Sequence, residues 1–357
     1  MKPNTMAIRL LHVGTGVRGR HWLEIVARHP DFASVACVDP SENALREARA
    51  CRGQDHGVFS PTLQDALTRT AADAVLVSTP TFAHAQHVQQ ALEAGLPVLV
   101  EKPFAASLAE AAAVVERSRG TGRPVMVAEN YRFYRAERTL RHLLDTGIAG
   151  ELHWVTCVDR RNQPSDTQGP WVRSMEHPFL VEIAVHHFDS FRYLFQRQPR
   201  SISALSYNLA RGGYEREVGA TAIIEMEGGL PIQYGGAMAG ARFEFALWVE
   251  GERGDLWTDR QRVWWRPRGS RFFRPCRSVA VAKGDDLPYP NAGTISLLNQ
   301  FRDLVRDGRA PETSCEDNLW TLSMVEASIR SHREGRRVTI DEVLTPTLRR
   351  QAGLALA

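Results

Sequence analysis

Residues 8–19 read I-R-L-L-H-V-G-T-G-V-R-G. Ile8 to Val13 is a short, mainly apolar run, the pattern of a buried strand. It leads straight into Gly14-Thr15-Gly16-Val17-Arg18-Gly19, and His21–His29 then carries Trp22, Ile25 and Val26 at helical spacing. Strand, glycine turn and helix in that order are the setting a G-x-G-x-x-G pattern needs. Gly14 allows the tight turn, Gly16 lets a pyrophosphate approach the backbone, and Gly19 lets helix and strand pack closely. Free N–H groups and the positive dipole end at the helix start suit a phosphate. Glycine turns follow many strands, so the loop alone decides little. The next strand, Ser34–Val38, ends at Asp39, 20 residues past Gly19. A carboxylate there hydrogen-bonds a ribose 2′-OH and repels a 2′-phosphate, which favours NAD over NADP. The alternative is an ordinary turn or helix-cap aspartate in V-D-P-S.

Outward from this stretch, strands and helices alternate to about Ala128. The strand runs are Ala74–Ser78, Leu96–Val100 and Val125–Ala128; the helical runs are Ala44–Ala50, Leu63–Arg69, His84–Ala94 and Leu108–Ser118, the last stopped by Gly120. Uninterrupted apolar strands between helices predict a doubly wound parallel sheet covered on both faces. Ligands of such sheets bind beyond the C-terminal ends of the strands. The residues there are Ser78-Thr79-Pro80, with His84 on the helix that follows, then Glu101-Lys102-Pro103, then Glu129-Asn130-Tyr131-Arg132.

Near Glu129 the character changes. A helix over Ala136–Thr146 is followed by runs with a period of two, from Leu152–Val158 to Leu256–Thr258, which suit an antiparallel sheet with one face covered. Helices return at Thr294–Arg306 and Asn318–Gly335. Two domains are expected, residues 1–128 and 129–357.

A chain of 357 residues with a formal charge of +3 argues against a nucleic-acid or membrane-surface protein. No apolar run approaches the ~18 residues of a spanning helix, and no signal peptide is visible. Five scattered cysteines without C-x-x-C read as reduced, mostly buried thiols of a cytoplasmic protein.

Three groups of residues could carry chemistry. Lys102, held between a buried strand end and Pro103, could bind a substrate hydroxyl and stabilise charge on its oxygen; an ordinary surface lysine is the alternative. On the helix Phe179–Phe195, the residues Glu182, His186, Asp189 and Tyr193 fall within roughly a 60° arc at 3.6 residues per turn. Polar side chains in a row on a largely apolar helix need partners or a wet cleft. His186 has the ordinary range for proton transfer near neutrality and Glu182 could orient it, whereas His187 points elsewhere. A solvated helix face with satisfied side chains, or a shared metal ion, are the other readings. The third group, Trp257–Phe273, interleaves tryptophan and phenylalanine with arginine; a sheet edge or subunit interface fits it better than nucleic acid.

In their order, G-T-G-V-R-G at 14–19, V-D at 38–39, S-T-P-T-F-A-H at 78–84, A-L-E-A-G-L-P-V-L-V-E-K-P at 91–103 and V-H-H-F-D at 185–189 resemble the glucose–fructose oxidoreductase / inositol dehydrogenase / rhizopine catabolism family. The tail at 301–314 and 326–331 is similar too. The resemblance implies an N-terminal Rossmann domain and a C-terminal α+β domain whose open, mostly antiparallel sheet makes a homo-oligomer, dimer or tetramer. It implies NAD or NADP bound by Gly14, Thr15, Gly16, Val17, Arg18, Gly19, Asp39, Ser78, Thr79, Pro80, His84, Glu101 and Lys102. It further implies Lys102 at the substrate hydroxyl, His186 as catalytic base, and Asn130, Arg132 and Asp189 among the substrate contacts, with no metal. Glu182 stands where many members carry aspartate, and Ala184 replaces a glycine. The expected activity is hydride transfer between a nicotinamide cofactor and a hydroxyl carbon of a sugar, sugar derivative or cyclitol. A non-catalytic NAD-binding regulator and a redox-neutral glycosidase are the alternatives within reach of the same motifs.

Overall fold

A computed structural model describes residues 7–51, 57–209, 212–285 and 287–354. The chain divides into two compact units. The first comprises Met1–Glu129, Leu287–Leu319 and Thr347–Ala357; the second comprises Asn130–Asp286 and Trp320–Pro346. Two segments far along the chain thus belong with the first unit.

In the first unit six parallel strands, β1 (Ile8–Val13), β2 (Phe32–Val38), β3 (Val58–Ser60), β4 (Ala74–Val77), β5 (Val98–Val100) and β6 (Val125–Val127), lie in the order β3-β2-β1-β4-β5-β6. Every residue of β4, β5 and β6 is buried, because crossover helices cover both faces of such a sheet. Those helices are α1 (Val17–Val26), α2 (Glu42–Ala50), α3 (Leu63–Arg69), α4 (His84–Glu93) and α5 (Leu108–Thr121). Ser41, Thr62 and Ser107 each accept a backbone N–H at the start of α2, α3 and α5, which fixes where those helices begin. The strand order reverses between β1 and β4, so the ligand crevice of this sheet type opens beside the Gly14 and Ser78 turns.

Two details depart from the sequence reading. The edge strand β3 was not expected there: three residues among polar neighbours carry no periodicity. The helix α5 continues through Gly120 and stops at Gly122, which takes φ +65°; Gly120 has an ordinary φ and open space around it, so nothing forces a stop there.

In the second unit a nine-stranded sheet carries β7 (Leu152–Asn162), β8 (Pro199–Tyr207), β9 (Gly219–Met226), β10 (Pro231–Ala237), β11 (Ala239–Gly251), β12 (Gly254–Thr258), β13 (Val263–Pro267), β14 (Arg274–Pro275) and β15 (Val338–Thr339). Their order is β14-β13-β12-β11-β7-β10-β9-β8-β15. Only the β7–β10 pair among these is parallel. Helices α6 (Arg135–Asp145), α7 (Pro170–Arg173) and α8 (Val185–Phe195) belong to the same unit. Along β7 the buried positions are Val155, Cys157, Asp159 and Arg161, so the strand runs four residues beyond Val158 with two charges in the inward register. In the Trp257–Phe273 stretch, Trp257 stacks on Trp264 at 4.2 Å and on Trp248 at 6.0 Å. Within that stretch β12 pairs with β13, and the residues between and after these strands are turn and loop. No described helix is long and apolar enough to cross a membrane. The five cysteines are unbonded, and Cys37, Cys157 and Cys315 are buried.

The close approach at the first turn gives a stability test. A Cβ on Gly19 would meet the Gly14 carbonyl oxygen at 2.1 Å, whereas nothing lies within 4 Å of one on Gly16. Gly19→Ala should therefore cost about 1–3 kcal/mol by chemical denaturation, and Gly16→Ala no more than about 0.5 kcal/mol. Equal midpoints for the two variants would contradict this account of the turn.

Candidate active site

The turn after β1 is built for close contact. Gly14 takes φ +90°, and a Cβ there would meet the Ser78 carbonyl carbon at 2.6 Å. Ser78 Oγ donates to the Gly14 carbonyl oxygen at 2.9 Å. Asp39 joins this turn from the end of β2: its Oδ2 accepts the Thr15 N–H at 2.8 Å and lies 3.2 Å from Thr15 Oγ1, while Oδ1 accepts the Ser41 N–H at 2.9 Å. It serves the turn and the helix entry together, and carboxylate oxygens retain lone pairs for a further donor.

The E-K-P turn after β5 is fastened from two helices, α1 and α4. Glu101 is buried, and its Oε1 accepts from Arg18 Nε at 2.5 Å and from Trp22 Nε1 at 2.7 Å, both on α1. Its Oε2 faces the Lys102 N–H at 3.3 Å. Burial acts to raise the Glu101 carboxyl, but Arg18 and Lys102 outweigh it and hold the group below its ordinary range. Arg18 also donates to Asn291 at 3.0 Å. His84 opens α4 almost fully buried; its Nδ1 lies 2.7 Å from the Pro103 carbonyl oxygen and its Nε2 2.7 Å from that of Thr79. One ring thus bridges the turns after β4 and β5.

A dinucleotide fits this unit. The first N–H groups of α1 follow Gly16, whose surroundings are open. Thr79 Oγ1, beside the turn, is buried with no hydrogen-bond partner among the described residues. Gly14, Gly16 and the α1 start would take the pyrophosphate, and Asp39 the adenosine ribose. Val17 and Pro80 flank the same turns, Val17 being 67% exposed.

In the second unit, Phe179–Ala184 is a π-helical segment that runs into α8. A wider turn carries more residues per revolution than 3.6, so Glu182 is rotated relative to the stripe that a single α-helix over Phe179–Phe195 predicts. From Val185 on, the α spacing holds. Every residue of α8 is buried, which rules out a solvated face and makes partners obligatory. Asp189, fully buried, takes a bidentate pair from Arg132, Nε to Oδ2 and Nη2 to Oδ1, both 2.6 Å. Tyr193 Oη accepts from Arg138 at 3.0 Å. His186 lies flat on the Tyr131 ring, centroids 4.1 Å apart and planes 12° apart. Asn130 is buried in the same turn as Tyr131 and Arg132, its Nδ2 3.5 Å from Tyr134 Oη.

His187 does turn away from His186. Its Nδ1 is 2.9 Å from Tyr234 Oη, and its Nε2 is 2.9 Å from Asp159 Oδ2 in a bent contact. A carboxylate only accepts, so the neutral ring carries its proton on Nε2 and accepts the Tyr234 hydroxyl at Nδ1. Arg161 Nη2 binds Asp159 Oδ2 at 2.8 Å and Tyr131 Oη at 2.8 Å. Arg260 binds Glu137 at 3.1 Å and lies over the rings of Phe245 and Tyr131, at 3.6 and 4.3 Å. Against its burial, Arg161 and His187 hold the Asp159 carboxyl far below its ordinary range. The sequence reading missed Asp159, Arg161 and Glu137, and it named Tyr131, within Glu129-Asn130-Tyr131-Arg132, and Arg260, within Trp257–Phe273, without joining them to this cluster. The available signal was Asp159 and Arg161 continuing the alternate inward positions of an apolar strand. Among the described residues no group of three His, Cys, Asp or Glu is placed to hold a metal ion.

A parallel sheet with its glycine turn at the strand-order reversal, followed by an α+β unit with a buried histidine helix, defines a dinucleotide-binding oxidoreductase. Comparison with known proteins makes the assignment specific. Residues 8–129 match the oxidoreductase family with NAD-binding Rossmann fold, and residues 138–257 match the GFO/IDH/MocA C-terminal domain. Inositol 2-dehydrogenase 1 of Saccharopolyspora erythraea is 31% identical over 96% of this chain and 99% of its own. D-apiose dehydrogenase of Paraburkholderia graminis is 28% identical over 92% of this chain and 88% of its own. Among solved structures, an oxidoreductase from Agrobacterium radiobacter, in complex with NAD+, L-tartaric acid and magnesium, superposes with TM-score 0.85 at 19% identity, over 94% of this chain and 99% of that one. The chain belongs to the glucose–fructose oxidoreductase / inositol dehydrogenase / rhizopine catabolism family of NAD-binding oxidoreductases.

The buried histidine generates a pH test. Burial pushes His187 down to about 4, against the pull of Asp159, whereas an unfolded histidine titrates near ~6.5. Between these values the unfolded chain binds more protons, so this group's contribution rises with pH and is lost as pH falls from ~6.5 towards ~4. His187→Gln should flatten the stability–pH slope in that window by up to one proton, on the order of 3 kcal/mol. Denaturant titrations at several pH values that give parallel slopes for both proteins would refute it.

Proposed function

We propose that this protein oxidises or reduces a hydroxyl-bearing carbon of a sugar, sugar derivative or cyclitol. The observation that carries the reading is the fastening of the Glu101-Lys102-Pro103 turn by Arg18 and Trp22 of α1 and His84 of α4 at the crevice end of a dinucleotide sheet. The names of the relatives support the substrate class: they include inositol and D-apiose dehydrogenases.

When bound, the nicotinamide ring supplies the hydride acceptor or donor. The chain's own groups do the rest. His186 takes the proton of the substrate hydroxyl, with Glu182 assisting from the preceding turn. Lys102 holds the substrate oxygen and stabilises the negative charge that develops on it. Arg132, its guanidinium aimed by Asp189, and Asn130 bind other hydroxyls of the substrate. Arg18 and Glu101 hold Lys102 in place, and His84 braces the turns around it. Fixing the reacting groups before chemistry supplies much of the rate. We place the enzyme in the cytoplasm and as a homo-oligomer, formed through the outward face of the nine-stranded sheet. Leu205 and Ile223, at outward positions of β8 and β9, are 56% and 46% exposed and support that surface.

A panel of sugars, sugar acids, amino sugars and cyclitols, scored by nicotinamide absorbance with NAD and NADP in parallel, tests the activity. Net reduction of NAD, with NADP poorer, is expected. Tight NAD binding without turnover, or release of a sugar with no net redox change, would defeat the proposal. Lys102→Ala should keep NAD affinity within a few-fold while turnover falls by about 100-fold or more. His186→Ala should remove the near-neutral limb of the pH–rate profile. Unchanged turnover or an intact limb would clear the residue of its role.

The assembly has its own test. Leu205→Arg with Ile223→Arg should lower the sedimenting mass to that of a smaller species. An unaltered oligomer would move the interface elsewhere.

A further inference from the structure

Adjacent residues of a helix point about 100° apart, and His186 and His187 use that divergence. His187 reaches the sheet, where Asp159 and Tyr234 meet its two nitrogens. His186 instead stacks on Tyr131. From Asp159 the contacts continue through Arg161 to the Tyr131 hydroxyl. The series His187–Asp159–Arg161–Tyr131–His186 therefore closes on itself through the peptide bond between the two histidines. Tyr131, Arg161, Asp159 and His187 are each at most 2% exposed, and all belong to the second unit.

We propose that Tyr131 is a positioning residue that fixes the ring plane of His186, and that the Arg161–Asp159 pair holds Tyr131 for that task. The proposal rests on the reading of His186 as the proton acceptor. A helix fixes only where a histidine starts; its two side-chain torsions leave the imidazole free to sweep. A coplanar aromatic at 4.1 Å removes that freedom at a modest energy, because offset-stacked rings attract. The tyrosine needs an anchor of its own. It sits in the four-residue turn Asn130–Phe133, too short for a ladder of backbone bonds. Arg161 supplies the anchor at the hydroxyl, and Arg260, 4.3 Å from the ring centroid, braces the ring itself. Arg161 and Asp159 stand two apart on β7 and so share its inward face. Arg260 approaches from beyond β12 and is held by Glu137 of α6.

The test separates this proposal from the activity it rests on. Histidines are labelled at Cε1 in the full-length protein, and the His186 signal is assigned by its loss in His186→Gln. In Tyr131→Leu the signal should lose its ring-current shift. Tyr131→Phe keeps the ring but not the hydroxyl that Arg161 binds, so it should keep part of the ring-current shift with the same broadening expected for Arg161→Met. Arg161→Met should broaden the signal or split it as the tyrosine is released. In turnover, Tyr131→Leu should lower kcat by about tenfold to a hundredfold, the scale of a misplaced reacting group. KM and NAD affinity should stay within about threefold, and Tyr131→Phe, with the ring but without its anchor, should fall between Tyr131→Leu and the unaltered protein. If Tyr131→Leu does not fold, Tyr131→Phe and Arg161→Met carry the test through the anchor. A His186 signal unchanged in Tyr131→Leu, or unchanged in Arg161→Met, would overturn the proposal. A wild-type protein that transfers hydride with no substrate would defeat the function proposed above, while the resonance measurements would still decide the stack.

Discussion

A carboxylate removed from water must be met by cations and donors, and both units of this chain are arranged around that requirement. Transferring an unpaired carboxylate into protein costs several kcal/mol even after relaxation. Glu101 in the first unit, and Asp159 and Asp189 in the second, are buried. Each is met by named partners: Arg18 and Trp22 come to Glu101 and Arg132 to Asp189 from far along the chain, while Asp159 takes Arg161 from two residues on and His187 from α8. The partners cannot leave without stranding a charge. That makes these arrangements rigid, whether or not they add net stability.

Rigidity matters because of where these charges sit. Glu101 directly precedes Lys102, so the pair that fixes Glu101 also fixes the backbone from which the lysine projects. Arg18, which supplies the pair, lies in the first turn of α1, within the G-x-G-x-x-G stretch. The loop built to take a phosphate and the residue read as the oxygen-stabilising cation are thereby parts of one hydrogen-bonded assembly. Asp159 plays the corresponding part near His186, acting through Arg161 and Tyr131 rather than by contact.

Much of the first unit was legible because its signals are local. Glycines at fixed spacing, apolar runs of strand length and an acid at the end of the second strand each follow from backbone geometry within a few residues. The second unit was legible as a strand-rich region but not in its interior. The run read as Leu152–Val158 continues to Asn162, with Asp159 and Arg161 at buried positions. Asp159 and Arg161 neutralise one another indoors, which no single position declares. The same holds for Arg260: it lies in a stretch of alternating arginine and tryptophan, yet its side chain is buried against Glu137, 123 residues away. The polar stripe on α8 was seen, but its environment was not, since spacing shows which side chains share a face and not what meets that face.

The sequence by itself determined the family, the dinucleotide turn, the alternation that makes a parallel sheet, and the identity of Lys102 and His186 as the residues to examine. These rest on interactions between near neighbours along the chain. Only the tertiary structure decided which partners satisfy the buried charges. It also decided that the helix carrying His186 begins with a π-helical turn, that His84 bridges two carbonyls, and that Tyr131 lies against His186. Those outcomes depend on the distance between side chains brought together by folding, and a buried ion pair or ring stack has no periodicity from which it could be read.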